Sequence, residues 1–165
     1  YDNSTGSPVL DNIESDEEYD AVADMFDQML DAAEYDEEMY EKADYLIADL
    51  PCSGLGVISK KTDIKYKTKP EDIDSLVEIQ RQILSTVSKY VKPGGVMVFS
   101  TCTVNLKENN ENVRWIIENL PFEPESLKGK VPEKLSYESE NDGYMQIFNG
   151  DYGMDGFFVA RFRKK

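Results

Sequence analysis

Histidine is absent from the 165 residues, and cysteine occurs only twice, at Cys52 and Cys102. Without imidazole, and with neither thiol in a Cys-x-x-Cys pair, a zinc centre lacks a ligand set and a disulfide framework has no basis. No apolar run approaches the ~20 residues that span a bilayer. The N-terminal YDNSTGSPVL lacks the basic start and apolar stretch of a secretory signal. A reducing, cytoplasmic setting is the resulting expectation. Glycine is scarce early as well, with Gly6 the only one before Gly54. Basic residues are scarcer still: Lys42 is the single one in residues 1–44, against sixteen Asp and Glu. Residues 45–165 carry seventeen of each sign, so the whole net charge of −15 belongs to the first quarter. That asymmetry marks a boundary.

Residues 1–14 read as a flexible entry rich in Asn, Ser, Thr, Gly and Pro. Ser15 and Glu18 match a capping box, and Tyr19, Val22, Phe26, Met29, Leu30 and Ala33 then recur at helical spacing. The other face of that helix is carboxylate, either a solvated surface or a docking face for a basic partner. From Tyr45 the pattern changes. Tyr45–Asp49 reads as a buried strand. Pro70 and Glu71 open a long helix through Ile73, Leu76, Val77, Ile83, Leu84, Val87 and Val91, stopped at Lys92-Pro93-Gly94-Gly95. Val96–Ser100 reads as a second buried strand, and Val113, Trp115, Ile116 and Leu120 mark a helix ending before Pro121. Residues 123–142 read as loop, and Tyr144–Phe148 with Phe157–Phe162 alternate as a terminal hairpin. This order predicts an α/β fold of mainly parallel strands with a C-terminal antiparallel hairpin, preceded by an acidic helix.

Each cysteine follows a strand directly, in ADLPCSGLG and in VMVFSTCTV. Ligands of open α/β sheets bind outside the carboxyl ends of the strands. A lone buried cysteine is most often a small hydrophobe. Two at equivalent strand ends, one beside an Asp-x-Pro, predict a shared rim within reach of one base-sized ligand. Beyond Cys52, KKTDIKYKTK places five lysines within residues 60–69, read either as a solvated loop or as phosphate contacts.

ADLPCSGLGVISKKTDIKY, KPGGVMVFSTCTV and DGFFVARFRKK resemble, in order, three motifs of the Sun (Fmu) family of RNA cytosine carbon-5 methyltransferases, over about residues 35–165. The likeness is greatest to its bacterial members acting on 16S ribosomal RNA. The resemblance implies a Rossmann-like, S-adenosyl-L-methionine-dependent enzyme whose partner is small-subunit ribosomal RNA. It assigns Cys102 as the nucleophile that adds to carbon 6 of cytosine. Cys52 becomes the cysteine that assists product release, and Asp49 the carboxylate bordering the cofactor. Lys60, Lys61, Lys65 and Lys67 become RNA contacts. No metal is implied. The family's cofactor half precedes the Asp-x-Pro-Cys strand with a glycine-rich turn, which residues 1–44 lack. The expected division is therefore an acidic segment, 1–34, and a partial methyltransferase catalytic domain, 35–165, with an exposed sheet edge prone to self-association. Two further classes stay open: a non-catalytic RNA-binding remnant, and an acidic interaction module for a basic partner.

Overall fold

The computed structural model describes residues 33–60, 69–135 and 138–165. The capping box at Ser15 and the apolar stripe before Ala33 lie outside these residues, as do Lys61, Lys65 and Lys67.

Among the described residues, strand β1 (Ala43–Asp49) is followed by helix α1 (Pro70–Val87), strand β2 (Val91–Thr101) and helix α2 (Asn110–Asn119). Short strands β3 (Phe122–Pro124) and β4 (Tyr144–Ile147) precede the long β5 (Phe157–Lys164). The sheet order is β1-β2-β5-β3, with β4 also paired to β5. β1 and β2 are parallel, as a crossover through one helix requires, and Asp49 lies opposite Ser100 at their carboxyl ends. β5 returns antiparallel to β2, and β3 and β4 share its other edge.

Alternation along the strands sorts the side chains onto two faces. Met97, Phe99, Phe158, Ala160 and Phe162 bury one face against Ile83 and Leu84 of α1 and Val113 and Ile116 of α2. Phe99, Phe158 and Phe162 are at most 1% exposed, and each is worth ~1.5–3 kcal/mol of burial. On the opposite face, towards β4, Leu127, Met145 and Ile147 form a second cluster with Val131, Leu135 and Val159. At β1, Tyr45 and Ile47 are each 76% exposed. Among the described residues β1 pairs with β2 alone.

Three features depart from the sequence reading. β1, read as a buried strand, turns Leu46 and Ala48 to the core and leaves Tyr45 and Ile47 exposed. β2 begins at Val91, and Lys92-Pro93-Gly94-Gly95 is a bulge between the Ala43–Val91 and Tyr45–Val96 pairs. Gly94 at φ +76° makes this turn accessible. Residues 122–124, at the start of the region read as loop and overlapping it by two residues, form β3 because β5 is long enough to offer them a free edge.

Candidate active site

Leu50 N–H donates to Ser100 O at 3.0 Å, carrying the β1–β2 pairing one residue past the strand. The loop Pro51–Gly54 then turns across the rim, and Gly54 adopts φ +68° before a single 3-10 turn at Leu55–Val57. Gly56 N–H donates to Cys102 O at 2.9 Å. The loop after β1 is thereby pinned to the residue that follows β2.

This brings the two thiols together. Cys52 Sγ and Cys102 Sγ are 3.2 Å apart, and both are half-buried. Asp49 stands on the same rim, its side chain exposed, with Oδ1 accepting from Ser100 Oγ at 2.7 Å. Lys60 forms an ion pair with Asp155 at 2.6 Å. That contact and a hydrogen bond from Ser59 hold the Asp155 carboxyl below its ordinary range. Among the described residues no group of three or more His, Cys, Asp or Glu is arranged to hold a metal ion.

The pair is electrostatically unequal. The Cys102 thiol is pushed down to about 7, first by a hydrogen bond from the Cys52 thiol and then by a backbone N–H. Burial and the Asp49 and Glu108 carboxylates oppose this. The Cys52 thiol is pushed up, because the same bond and its own burial favour the protonated form. One sulfur is thus the better nucleophile and its neighbour a retained proton donor.

The sign of the pH effect follows. Alkylation of Cys102 by iodoacetamide should rise through an inflection near pH 7, since only the thiolate attacks. Cys52→Ala removes the donor, so the inflection should move up towards the ordinary ~8.5, and the thiolate fraction at pH 7 should fall from about half to ~3%. Rate-against-pH curves for both proteins check this, and an unmoved inflection would remove Cys52 as the cause.

Beneath the thiols lies a polar network that sequence reasoning missed. Gln80, Thr101, Thr103, Glu108, Asn109 and Asn112 are all fully buried. Gln80 Nε2 donates to Pro51 O at 2.8 Å, and its Oε1 accepts from Asn112 Nδ2 at 2.7 Å. Thr101 Oγ1 donates to Asn109 Oδ1 at 2.7 Å, and Asn109 Nδ2 donates to Gln146 Oε1 at 2.7 Å. The available signals were Gln80 on the apolar stripe of α1 and the run ENNEN directly after the Cys102 segment. Beside the thiol loops a cleft of about 600 Å³ opens, walled by Leu55, Pro70, Ile73, Val104 and Leu106, with Lys107 among its polar residues.

The sequence profile of the family described as 16S rRNA methyltransferase RsmB/F matches residues 15–163. The chain belongs to the RsmB/F family. It is 45% identical over 127 residues to the probable ribosomal RNA small subunit methyltransferase B of Bacillus subtilis, covering 76% of this chain and 28% of that protein. It is 36% identical over 126 residues to the ribosomal RNA small subunit methyltransferase F of Cronobacter sakazakii, covering 75% and 26%. The chain thus spans little more than a quarter of the curated relatives it matches. Among solved structures, PH0851 superposes with a TM-score of 0.68 at 26% identity, over 76% of this chain and 27% of that one. NSun6 from Pyrococcus horikoshii, solved with SFG, gives 0.60 at 26% identity over 72% and 29%. The mixed α/β sheet is therefore that of a Rossmann-like methyltransferase. The family match begins inside the acidic segment.

Proposed function

We propose that this RsmB/F-family chain carries the catalytic thiols of an S-adenosyl-L-methionine-dependent enzyme that methylates carbon 5 of a cytosine in small-subunit ribosomal RNA. The observation that carries this reading is the pair of unequal thiols 3.2 Å apart at the carboxyl ends of adjacent parallel strands. In this reading the Cys102 thiolate adds to carbon 6, and the resulting enamine makes carbon 5 nucleophilic. After methylation a base removes the carbon-5 proton, the carbon 5–carbon 6 double bond re-forms and Cys102 leaves as thiolate. The Cys52 S–H stabilises that leaving thiolate through the same hydrogen bond that lowers its pKa.

Of the described residues, Asp49 fits the cofactor's border: its carboxylate is exposed on the rim beside the thiols, with Oδ1 alone engaged by Ser100. Bound there, S-adenosyl-L-methionine supplies the methyl group. Asp49 would orient it by accepting hydrogen bonds from its amino groups. The apolar cleft beside Leu55 and Val104 has the size and lining to hold a neighbouring base of the RNA. Lys60, and with it Lys61, Lys65 and Lys67, would contact phosphates, RNA displacing Asp155 from Lys60. We read residues 1–34 as a segment distinct from the partial catalytic domain at 35–165, and the edge of β1, unpaired among the described residues, as the surface for self-association.

The test is methyl transfer by the full-length protein to unmodified small-subunit ribosomal RNA, with the product nucleoside mapped. Label at carbon 5 of cytosine is expected. Label on a ring nitrogen, on ribose or nowhere would overturn the assignment.

A further inference from the structure

The chemistry above makes no use of the most deeply placed ionisable side chain. Glu108 has no exposed surface, and no cation among the described residues pairs with it. Burial of a carboxylate without a counter-charge is tolerated only where hydrogen bonds replace the lost water. Here four do so. Oε1 accepts from Ser53 N–H at 2.9 Å and from Gln80 Nε2 at 3.1 Å. Oε2 accepts from Ser53 Oγ at 2.6 Å and from Thr103 Oγ1 at 3.3 Å. Ser53 Oγ and Thr103 Oγ1 are themselves 2.8 Å apart.

The donors have a common meaning. Ser53 follows Cys52, Thr103 follows Cys102, and Gln80 also holds Pro51 O from beneath. Filling the volume does not call for a carboxylate, since an apolar side chain of the same size packs without desolvation cost. An apolar side chain cannot hold the Ser53 N–H and hydroxyl.

We propose that Glu108 is the positioning residue of the two-thiol site: its carboxylate fixes the Ser53 turn and so sets the separation of the Cys52 and Cys102 sulfurs. This rests on reading the two thiols as the working pair. Displacement of a supporting group by an ångström is enough to uncouple such a pair.

Disulfide closure between the two thiols in a glutathione buffer reads their separation without RNA or cofactor. One thiolate attacks glutathione disulfide and releases a glutathione. The second thiolate then displaces the other glutathione, leaving the Cys52–Cys102 bond. In the 165-residue chain, Glu108→Leu should slow closure at least tenfold with an unchanged far-ultraviolet circular dichroism spectrum. Glu108→Gln keeps an acceptor for Ser53 N–H and should close within threefold of the wild type. Should Glu108→Leu fail to fold, Ser53→Ala carries the test, with closure expected to slow at least threefold. Closure at the wild-type rate in Glu108→Leu or, in its place, Ser53→Ala, or a Glu108→Gln variant as slow as Glu108→Leu, overturns the proposal. Absence of methyl transfer by the wild type would instead sink the functional reading and leave this one standing.

Discussion

Cys102→Ala should abolish the covalent adduct that the full-length protein forms with RNA containing 5-fluorocytosine. Once the methyl group has been transferred, carbon 5 carries fluorine in place of the proton that elimination must remove, so the adduct that forms in the presence of S-adenosyl-L-methionine persists. Without the Cys102 sulfur nothing adds, and methyl transfer should fall by at least ~1000-fold, as expected when a covalent nucleophile is deleted. Cys52→Ala separates addition from release. Loss of the Cys52 donor raises the Cys102 pKa and slows addition at pH 7 by roughly fifteenfold, from the thiolate fractions alone. The same loss removes the hydrogen bond that stabilises Cys102 as a leaving group, so release slows too. On ordinary cytosine the expected result is accumulated adduct, because a Cys102 thiolate without the Cys52 hydrogen bond is the poorer leaving group, so elimination becomes the slow step. Gel-shifted RNA–protein species after denaturation report both variants. Adduct formed normally by Cys102→Ala would show that the roles of the two sulfurs had been assigned the wrong way round.

Gly56→Ala should carry the largest structural penalty at the site. A Cβ on Gly56 would lie 2.2 Å from Gly156 O, 2.5 Å from Cys102 O and 2.8 Å from Gly156 C. All three are backbone atoms, so no flexible side chain can give way. A Cβ on Gly156 would in turn lie 2.8 Å from Gly56 Cα, showing how closely the two loops touch. The loop carrying Cys52 must retreat. Its retreat breaks the bond from Gly56 N–H to Cys102 O at 2.9 Å and that from Gly156 N–H to Gly56 O at 2.7 Å. Overpacking costs about 1–3 kcal/mol, and each lost hydrogen bond adds about 1 kcal/mol. A urea midpoint shift of that size, with Cys102 alkylation moved to higher pH as the thiols separate, is the expected pair of observations. A wild-type midpoint and alkylation profile together would show that the loop yields without cost.

The elements legible in the sequence are those whose signal is local. The 3.6-residue stripe of α1 from Pro70 to Val87, and the apolar runs ending at Asp49 and Ser100, specify a helix between two strands. The alternation in FFVARFRK specifies the strand that closes the sheet. β3 was hidden because three residues carry no periodicity of their own and exist as a strand only against the free edge of β5. The bulge at Gly94 was hidden because Pro-Gly-Gly signals a break equally well outside a strand and within one.

At the site, the equivalent placement of Cys52 and Cys102 after two strands was a sequence property, and so was the family. Their 3.2 Å separation was not. It depends on the register that sets Asp49 against Ser100, and on the contact of Gly56 with Gly156, 100 positions away. The inequality of the two thiols depends on that separation, because a thiol lowers its neighbour's pKa only within hydrogen-bond reach. Lys60 reads in the sequence as one cation of a basic run, and only folding sets Asp155 beside it. Glu108 reads as one more acidic residue before a helix, indistinguishable in one dimension from its exposed neighbours. Burial against nearby Thr103 and against Ser53 and Gln80 from two distant segments is what gives it a distinct chemistry. Strand and helix patterns are written in neighbouring residues. Charge pairing, desolvation and sulfur–sulfur contact arise only when the chain returns upon itself.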